Sequence, residues 1–105
     1  MSKEILIVRG SVASVEFDTD AGAAYVRFKT NAKVARTLSD DKPGEVVTVD
    51  LDSSGEVIGI ELLGVREFNI RTLLAKTRVR VPNLDDAKVR YFQAKVNGVG
   101  DISAS

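Results

Sequence analysis

The stretch VVTVDLDSSGEVIGIELL, residues 46–63, is the clearest structural signal in this chain. Apolar and polar residues alternate from 46 to 52, which is the period of a strand with one buried face. The SSG at 53–55 has the composition of a tight turn, and apolar residues then return at alternate positions. The stretch therefore predicts a β-hairpin. Gly59 interrupts its second strand, which predicts a bulge or the close approach of a neighbouring aromatic side chain.

Residues 13–30 predict a second hairpin, because the same alternation flanks the turn sequence DTDAG at 18–22. The KVARTL segment at 33–38 adds a plausible third strand. One face of the second strand of this hairpin is polar. This polar face consists of Tyr25, Arg27 and Lys29. We interpret it as a face exposed to solvent, and the alternative is a face that contacts a ligand.

The pattern changes after residue 64. Residues 68–76 predict a short helix, since Asn69 is a good N-cap and Lys76 suits the negative C-terminal end. Residues 88–96 are rich in β-branched and aromatic side chains and favour a strand, although their spacing also fits a helical face. The apolar run ILIV at 5–8 predicts a buried strand or an arm that pairs with a second chain.

These elements predict one domain, which suits a chain of 105 residues. The predicted fold is α+β but mostly β. It is an antiparallel sheet of hairpins with one short helix packed on one face, followed by an extended or β C-terminal tail. The single domain 1–105 divides into a hairpin core at 15–64, a short helix at 65–76 and a basic tail segment at 77–105.

The composition excludes several classes of chemistry. The chain has no cysteine and no histidine, so disulfides, thiolate nucleophiles and imidazole bases are all absent. It also has no glycine-rich phosphate loop. We therefore expect no enzymatic activity and no cofactor. The early apolar run is too short for a signal peptide or a membrane span, and we expect a cytoplasmic protein without a membrane partner.

Three acids at predicted strand ends, Asp18, Asp50 and Asp52, are weak candidates for a divalent-metal site. Carboxylates of this kind bind Mg²⁺ or Ca²⁺ when several of them meet. A site requires that the strand ends converge. The favoured interpretation is that these acids cap turns, because neither acidic run has the spacing of an EF-hand loop.

Charge is divided unequally along the chain. Residues 1–61 hold eleven acids and seven bases, whereas residues 62–105 hold four acids and eight bases. Basic residues interleaved with aromatics are typical of nucleic-acid or partner contacts, and the candidates here are Arg78, Arg80, Arg90 and Tyr91. The favoured alternative is that the bases pair with acids of the first half, within one fold or across a dimer, because the pI is only about 6.2.

Residues 15–64 resemble a bacterial domain-of-unknown-function family, number 2283 in its series. The resemblance rests on FDTDAGAAYVRF at 17–28, KVART at 33–37 and VDLDSSGEVIGIELL at 49–63, of which the last is the most specific. It implies a small β-rich domain and supplies no catalytic residue. Some members are thought to be encoded beside toxin-like small proteins, which implies an antitoxin-like or partner-binding role.

We therefore expect a non-enzymatic module that self-associates as a homodimer and binds a protein partner. Several predicted strands have exposed edges, which are templates for pairing with another chain. Two alternatives remain open at this point. One is a nucleic-acid-binding or regulatory domain that uses the basic half, and the other is a weak divalent-metal or ligand-binding domain.

Overall fold

A computed structural model describes residues 4–94, so residues 95–105 of the predicted tail lie outside the described part. The strands and the α-helix follow one another in the order β1 (Leu6–Ile7), β2 (Ser14–Asp18), β3 (Ala23–Arg27), β4 (Arg36–Ser39), β5 (Val46–Leu51), β6 (Val57–Leu63), α1 (Ile70–Ala75), β7 (Val79–Arg80) and β8 (Arg90–Gln93). A single turn of 3-10 helix, Asp86–Lys88, precedes the last strand. Both predicted hairpins are confirmed, and the predicted helix is confirmed in a shorter form.

The main sheet has six strands in the order β4-β5-β6-β3-β2-β8. The hairpin strands are antiparallel, as predicted, but β8 runs parallel to β2. The prediction of a purely antiparallel sheet is therefore wrong. The cause is the connection: a hairpin turn joins antiparallel strands, whereas a long crossover allows parallel pairing, and here the chain passes through α1 and β7 before it reaches β8.

The N-terminal arm pairs within the chain. β1 lies parallel to β7, with the Leu6 amide donating to the Arg78 carbonyl at 2.8 Å and the Val8 amide donating to the Arg80 carbonyl at 2.9 Å. The edge of β1 that makes these bonds is thus used inside the fold rather than for a second chain. β1 and β7 form a small sheet of two strands, separate from the main one.

The core lies on one face of the main sheet. Alternate residues of the hairpin strands point into it, as the sequence pattern predicts, and α1 and β7 cover them. The fully buried side chains from the sheet are Val15, Val26, Val47, Val49, Ile60 and Leu62, while Ile70, Leu73 and Val79 come from the covering elements. The opposite face carries the half-exposed side chains of Glu16, Tyr25, Arg27, Thr48 and Asp50, so it is in contact with solvent.

Two contacts fix the start of α1. The side chain of Asn69 accepts a hydrogen bond from the Arg71 amide at 2.9 Å, which confirms it as the N-cap. The ring of Phe68 lies 5.3 Å from the ring of Phe17 in β2, measured between centroids. This aromatic contact joins the entry of the helix to the first hairpin, within the range in which tilted rings attract one another.

A buried ion pair connects the two halves of the chain. Asp40, which follows β4, is only 3% exposed. The Nε of Arg78 donates to its Oδ2 at 2.6 Å, and the Nη2 of Arg78 donates to its Oδ1. Such bidentate pairs have the strongest geometry available to arginine and carboxylate. The pair holds the β4–β5 loop against the start of β7.

We expect Arg78→Leu to lower the free energy of unfolding by about 3 kcal/mol, because it removes two charge-assisted hydrogen bonds to a buried carboxylate. The matched control is Arg71→Leu, whose partner Asp86 is 46% exposed at the side chain. Loss of that exposed pair should cost about 0.5 kcal/mol. Urea denaturation of both variants measures the two costs, and equal costs would contradict the structural role of the Arg78–Asp40 pair.

Candidate functional site

The acids at the hairpin tips act as turn caps. Asp18 Oδ1 accepts hydrogen bonds from the amides of Asp20 at 2.9 Å and Ala21 at 3.1 Å. Asp52 Oδ1 accepts from the Ser54 amide at 2.9 Å, the Ser54 hydroxyl at 2.7 Å and the Glu56 amide at 3.0 Å. These hydrogen bonds lower the pKa of Asp52 to about 2, and the bond from the Ser54 hydroxyl makes the largest contribution.

The sheet separates Asp18 from the other two metal candidates. Its register pairs Asp18 with Ala23 at one end of the strands, whereas Asp50 pairs with Gly59 towards the other end. The convergence on which the metal hypothesis depends therefore does not occur for this set. Within residues 4–94, no group of three metal-ligating side chains lies close enough together to hold an ion.

A row of hydrogen-bonded polar side chains crosses the solvent-facing side of the main sheet, and we call it the polar belt. It consists of Thr37, Asp50, Tyr25, Arg27 and Glu16. Asp50 accepts from the Thr37 hydroxyl at 3.1 Å and from the Tyr25 hydroxyl at 3.0 Å. Glu16 accepts from Arg27 Nε at 3.0 Å, and the Arg27 guanidinium carbon lies 5.0 Å from the centre of the Tyr25 ring.

Tyr25 lies flat over Gly59 at the centre of this belt. A Cβ atom placed on Gly59 would lie 1.9 Å from the Tyr25 hydroxyl oxygen, so only glycine leaves room for the ring. The register also shifts next to Gly59, where Asp50 pairs with Gly59 but Leu51 pairs with Val57. Both predictions from the interrupted strand are thus confirmed, namely the bulge and the aromatic side chain.

The environment of Tyr25 keeps its hydroxyl protonated. Burial, followed by the hydrogen bond to the Asp50 carboxylate, raises the pKa of Tyr25 to about 12. Every polar group of the belt has a partner inside the belt, so its geometry matches a structural network better than a reactive site. The polar face on which the sequence placed Tyr25, Arg27 and Lys29 is therefore largely occupied by contacts within the fold.

Three of the four basic or aromatic candidates also serve the fold. Arg78 pairs with Asp40, and Arg80 Nη1 donates to the carbonyls of Thr77 at 2.7 Å and Val79 at 2.9 Å. The Tyr91 hydroxyl accepts from the Ile70 amide at 3.0 Å, at the start of α1. Of these contacts, only the Arg78–Asp40 pair joins a base of the second half to an acid of the first half, whereas Arg80 and Tyr91 bond within the second half.

The last strand presents the most exposed apolar surface of the main sheet. All four residues of β8 are exposed, with Tyr91 at 42% and Phe92 at 48%. Arg90, the fourth candidate, lies with its guanidinium carbon 5.7 Å from the centre of the Phe92 ring. Phe92 is not one of the residues that the sequence singles out. Its place on an outer strand follows from the parallel pairing with β2, which no local pattern indicates.

Comparison with known proteins identifies one family. A family model described as a protein of unknown function, DUF2283, matches residues 14–66, which contain both hairpins. No curated protein and no solved structure gave a significant match. Among the described residues, no helix has the length and apolar character needed to cross a bilayer.

We expect Gly59→Ala to lower the free energy of unfolding by about 2 kcal/mol, because the added methyl group displaces the Tyr25 ring and breaks its bond to Asp50. The control is Gly10→Ala, since a Cβ there meets nothing within 4 Å. In a Tyr25→Ala background the same Gly59→Ala change should cost little. Chemical denaturation of the double-mutant cycle measures this coupling, and additive costs would argue against the ring–glycine contact.

We expect the phenolate of Tyr25 to titrate at about pH 12 in a Tyr91→Phe variant, which retains only one of the two tyrosines. Ultraviolet absorbance follows the titration, and circular dichroism checks that the chain stays folded. The folded pKa exceeds the ordinary value of 10.0, so this contribution to stability is complete below pH 10 and is lost as the pH rises through 12. Adding Asp50→Asn should lower the midpoint, and a midpoint near 10 without it would contradict the buried contact.

Proposed function

This chain belongs to the DUF2283 family of proteins of unknown function, and we propose that it acts as a non-enzymatic protein-interaction module that self-associates. The outer edge of β8 carries the proposal. A free strand edge is a row of unpaired backbone donors and acceptors, which is a template for pairing with another strand. Among residues 4–94, no strand pairs with that edge of β8.

Two residues of β8 direct their backbone amide and carbonyl groups away from the main sheet. The Ala94 amide donates to the Phe17 carbonyl at 2.6 Å, towards β2. Alternate residues of a strand direct their amides to opposite sides, so the amides and carbonyls of Tyr91 and Gln93 point away from the sheet. These groups are those that a second strand needs.

The opposite edge of the main sheet is less suited to association. β4 carries the exposed side chains of Arg36, Thr37 and Ser39, and polar or charged side chains of this kind protect natural sheet edges. β8 has the two exposed aromatic rings instead. Exposed aromatic side chains are enriched in protein interfaces because they bury a large area with little loss of side-chain freedom.

A second copy fits the edge of β8 by antiparallel pairing about a twofold axis. Centring that pairing on Phe92 places Tyr91 opposite Gln93 of the other copy, and their outward amides and carbonyls then bond reciprocally. The two Phe92 rings would lie opposite one another across the axis, where cross-strand aromatic pairs are favourable. Arg90 would lie opposite Ala94, which separates the two like charges.

The absence of a reactive arrangement among the described side chains supports a non-enzymatic role. The polar belt bonds to itself, the tip acids cap turns, and Arg78 and Arg80 bind within the fold. The chain also lacks histidine and cysteine. Strand edges and exposed apolar side chains are among the surface features without a partner in the described part of the fold, and they suit binding rather than bond chemistry.

We expect Phe92→Lys to convert a dimer into a monomer, because it replaces an aromatic pair at the axis by two facing charges. The control, Ser39→Lys, adds the same charge to the β4 edge and should leave the dimer intact. Size-exclusion chromatography with light scattering over a concentration series measures both. A wild-type chain that stays monomeric at every concentration, or a dimer that Phe92→Lys leaves unchanged, would refute this mode of association.

A further inference from the structure

A second feature of the surface, distant in sequence from β8, is a cleft of about 450 Å³ beside the N-terminal arm. One wall is the arm itself, residues 6–11, and the other is formed by Phe28, Lys29 and residues 55–57. Its volume lies in the range of pockets that bind ligands. β7, which pairs with β1, contributes nothing to the lining, so the cleft lies along the other side of the arm.

The arm presents an unpaired backbone edge to this side. The amides of Leu6 and Val8 donate to carbonyls of residues 78 and 80. By the alternation of a strand, the amide and carbonyl of Ile7 point away from β7, and no residue between 4 and 94 bonds to them. The Ile7 side chain is itself 49% exposed, and so is that of Ile5.

The lining of the cleft is part apolar and part polar, and it includes one positive charge that has no ion-pair partner among the described residues. Leu6, Val8 and Phe28 belong to the core or pack against it. Lys29 is already bonded to Glu56 and, at 3.4 Å, to Asp52. Arg9 also lines the cleft, and its guanidinium forms no ion pair with any described residue.

We propose that this cleft binds an extended apolar peptide segment of another protein, which adds as a third strand beside β1 and places an acidic side chain against Arg9. A peptide backbone satisfies the outward amide and carbonyl of Ile7, which a purely apolar small molecule would leave unpaired. Alternate apolar side chains of the segment would contact Ile7 and the lining, and the charge of Arg9 selects an acid over a base. This site is separate from the self-association edge.

The test uses the full chain and a short fluorescein-labelled peptide of alternating valine and threonine that ends in glutamate, with fluorescence anisotropy as the readout. A matched peptide ends in lysine. We expect the glutamate peptide to bind roughly fivefold or more tightly than the lysine peptide, and Arg9→Glu to reverse that order. Binding at equal affinity, or no binding of the glutamate peptide at millimolar concentration, would overturn the proposal.

Two variants of one residue test the backbone pairing. Ile7→Pro removes the outward amide without removing a donor to β7, and it should weaken binding roughly fivefold or more. Ile7→Val keeps the amide and should bind normally. Hydrogen exchange at the Leu6 amide shows whether the arm of the Ile7→Pro variant stays paired with β7. If the arm is no longer paired, the Arg9→Glu variant provides the test of the site. The Phe92→Lys variant should retain peptide binding. A result that refutes the proposed dimer is therefore distinguishable from one that refutes peptide binding in the cleft.

Discussion

The main sheet has six strands and packs its core on one face, so its other face must be stable in contact with solvent. Most features of this molecule follow from that constraint. The covering layer among the described residues is small, one helix of six residues and the β1–β7 pair, so it shields one face alone. On the other face the polar belt crosses from β4 to β2 and bonds its own donors to its own acceptors. Tyr25 can lie against the sheet because Gly59 has no side chain.

The division of charge along the chain has a structural explanation in this fold. Two bases of the second half bind acids of the first, since Arg78 binds Asp40 and Lys76 binds Glu45 at 2.7 Å. Arg80 instead bonds to neighbouring carbonyls after α1. A crossover that returns to the edge of a sheet needs such contacts, because its helix is too short to bury a large apolar surface. Arg78 and Lys76 thus fasten the covering layer to the β4–β5 side of the main sheet.

Two backbone edges are the surface features that best suit binding. β8 and β1 each bond to one neighbour and direct their other edge outwards, and each carries exposed apolar side chains. They differ in form. The edge of β8 lies at the end of a broad sheet, which suits a symmetric second copy, whereas the edge of β1 lines a cleft with a single arginine, which suits a narrow, acidic segment.

By itself, the sequence determined the local elements of this protein: both hairpins, the Asn69 cap of the helix, and the turn-capping roles of Asp18 and Asp52. These features depend on alternation, turn chemistry and capping, which involve residues close together in the chain. Tertiary structure alone decided that β8 is parallel to β2, that β1 pairs with β7, and that Asp50 bonds to Tyr25 while Asp18 lies elsewhere. The reason is that strand order and register depend on how distant segments share one core, and the same alternating pattern is compatible with several such arrangements.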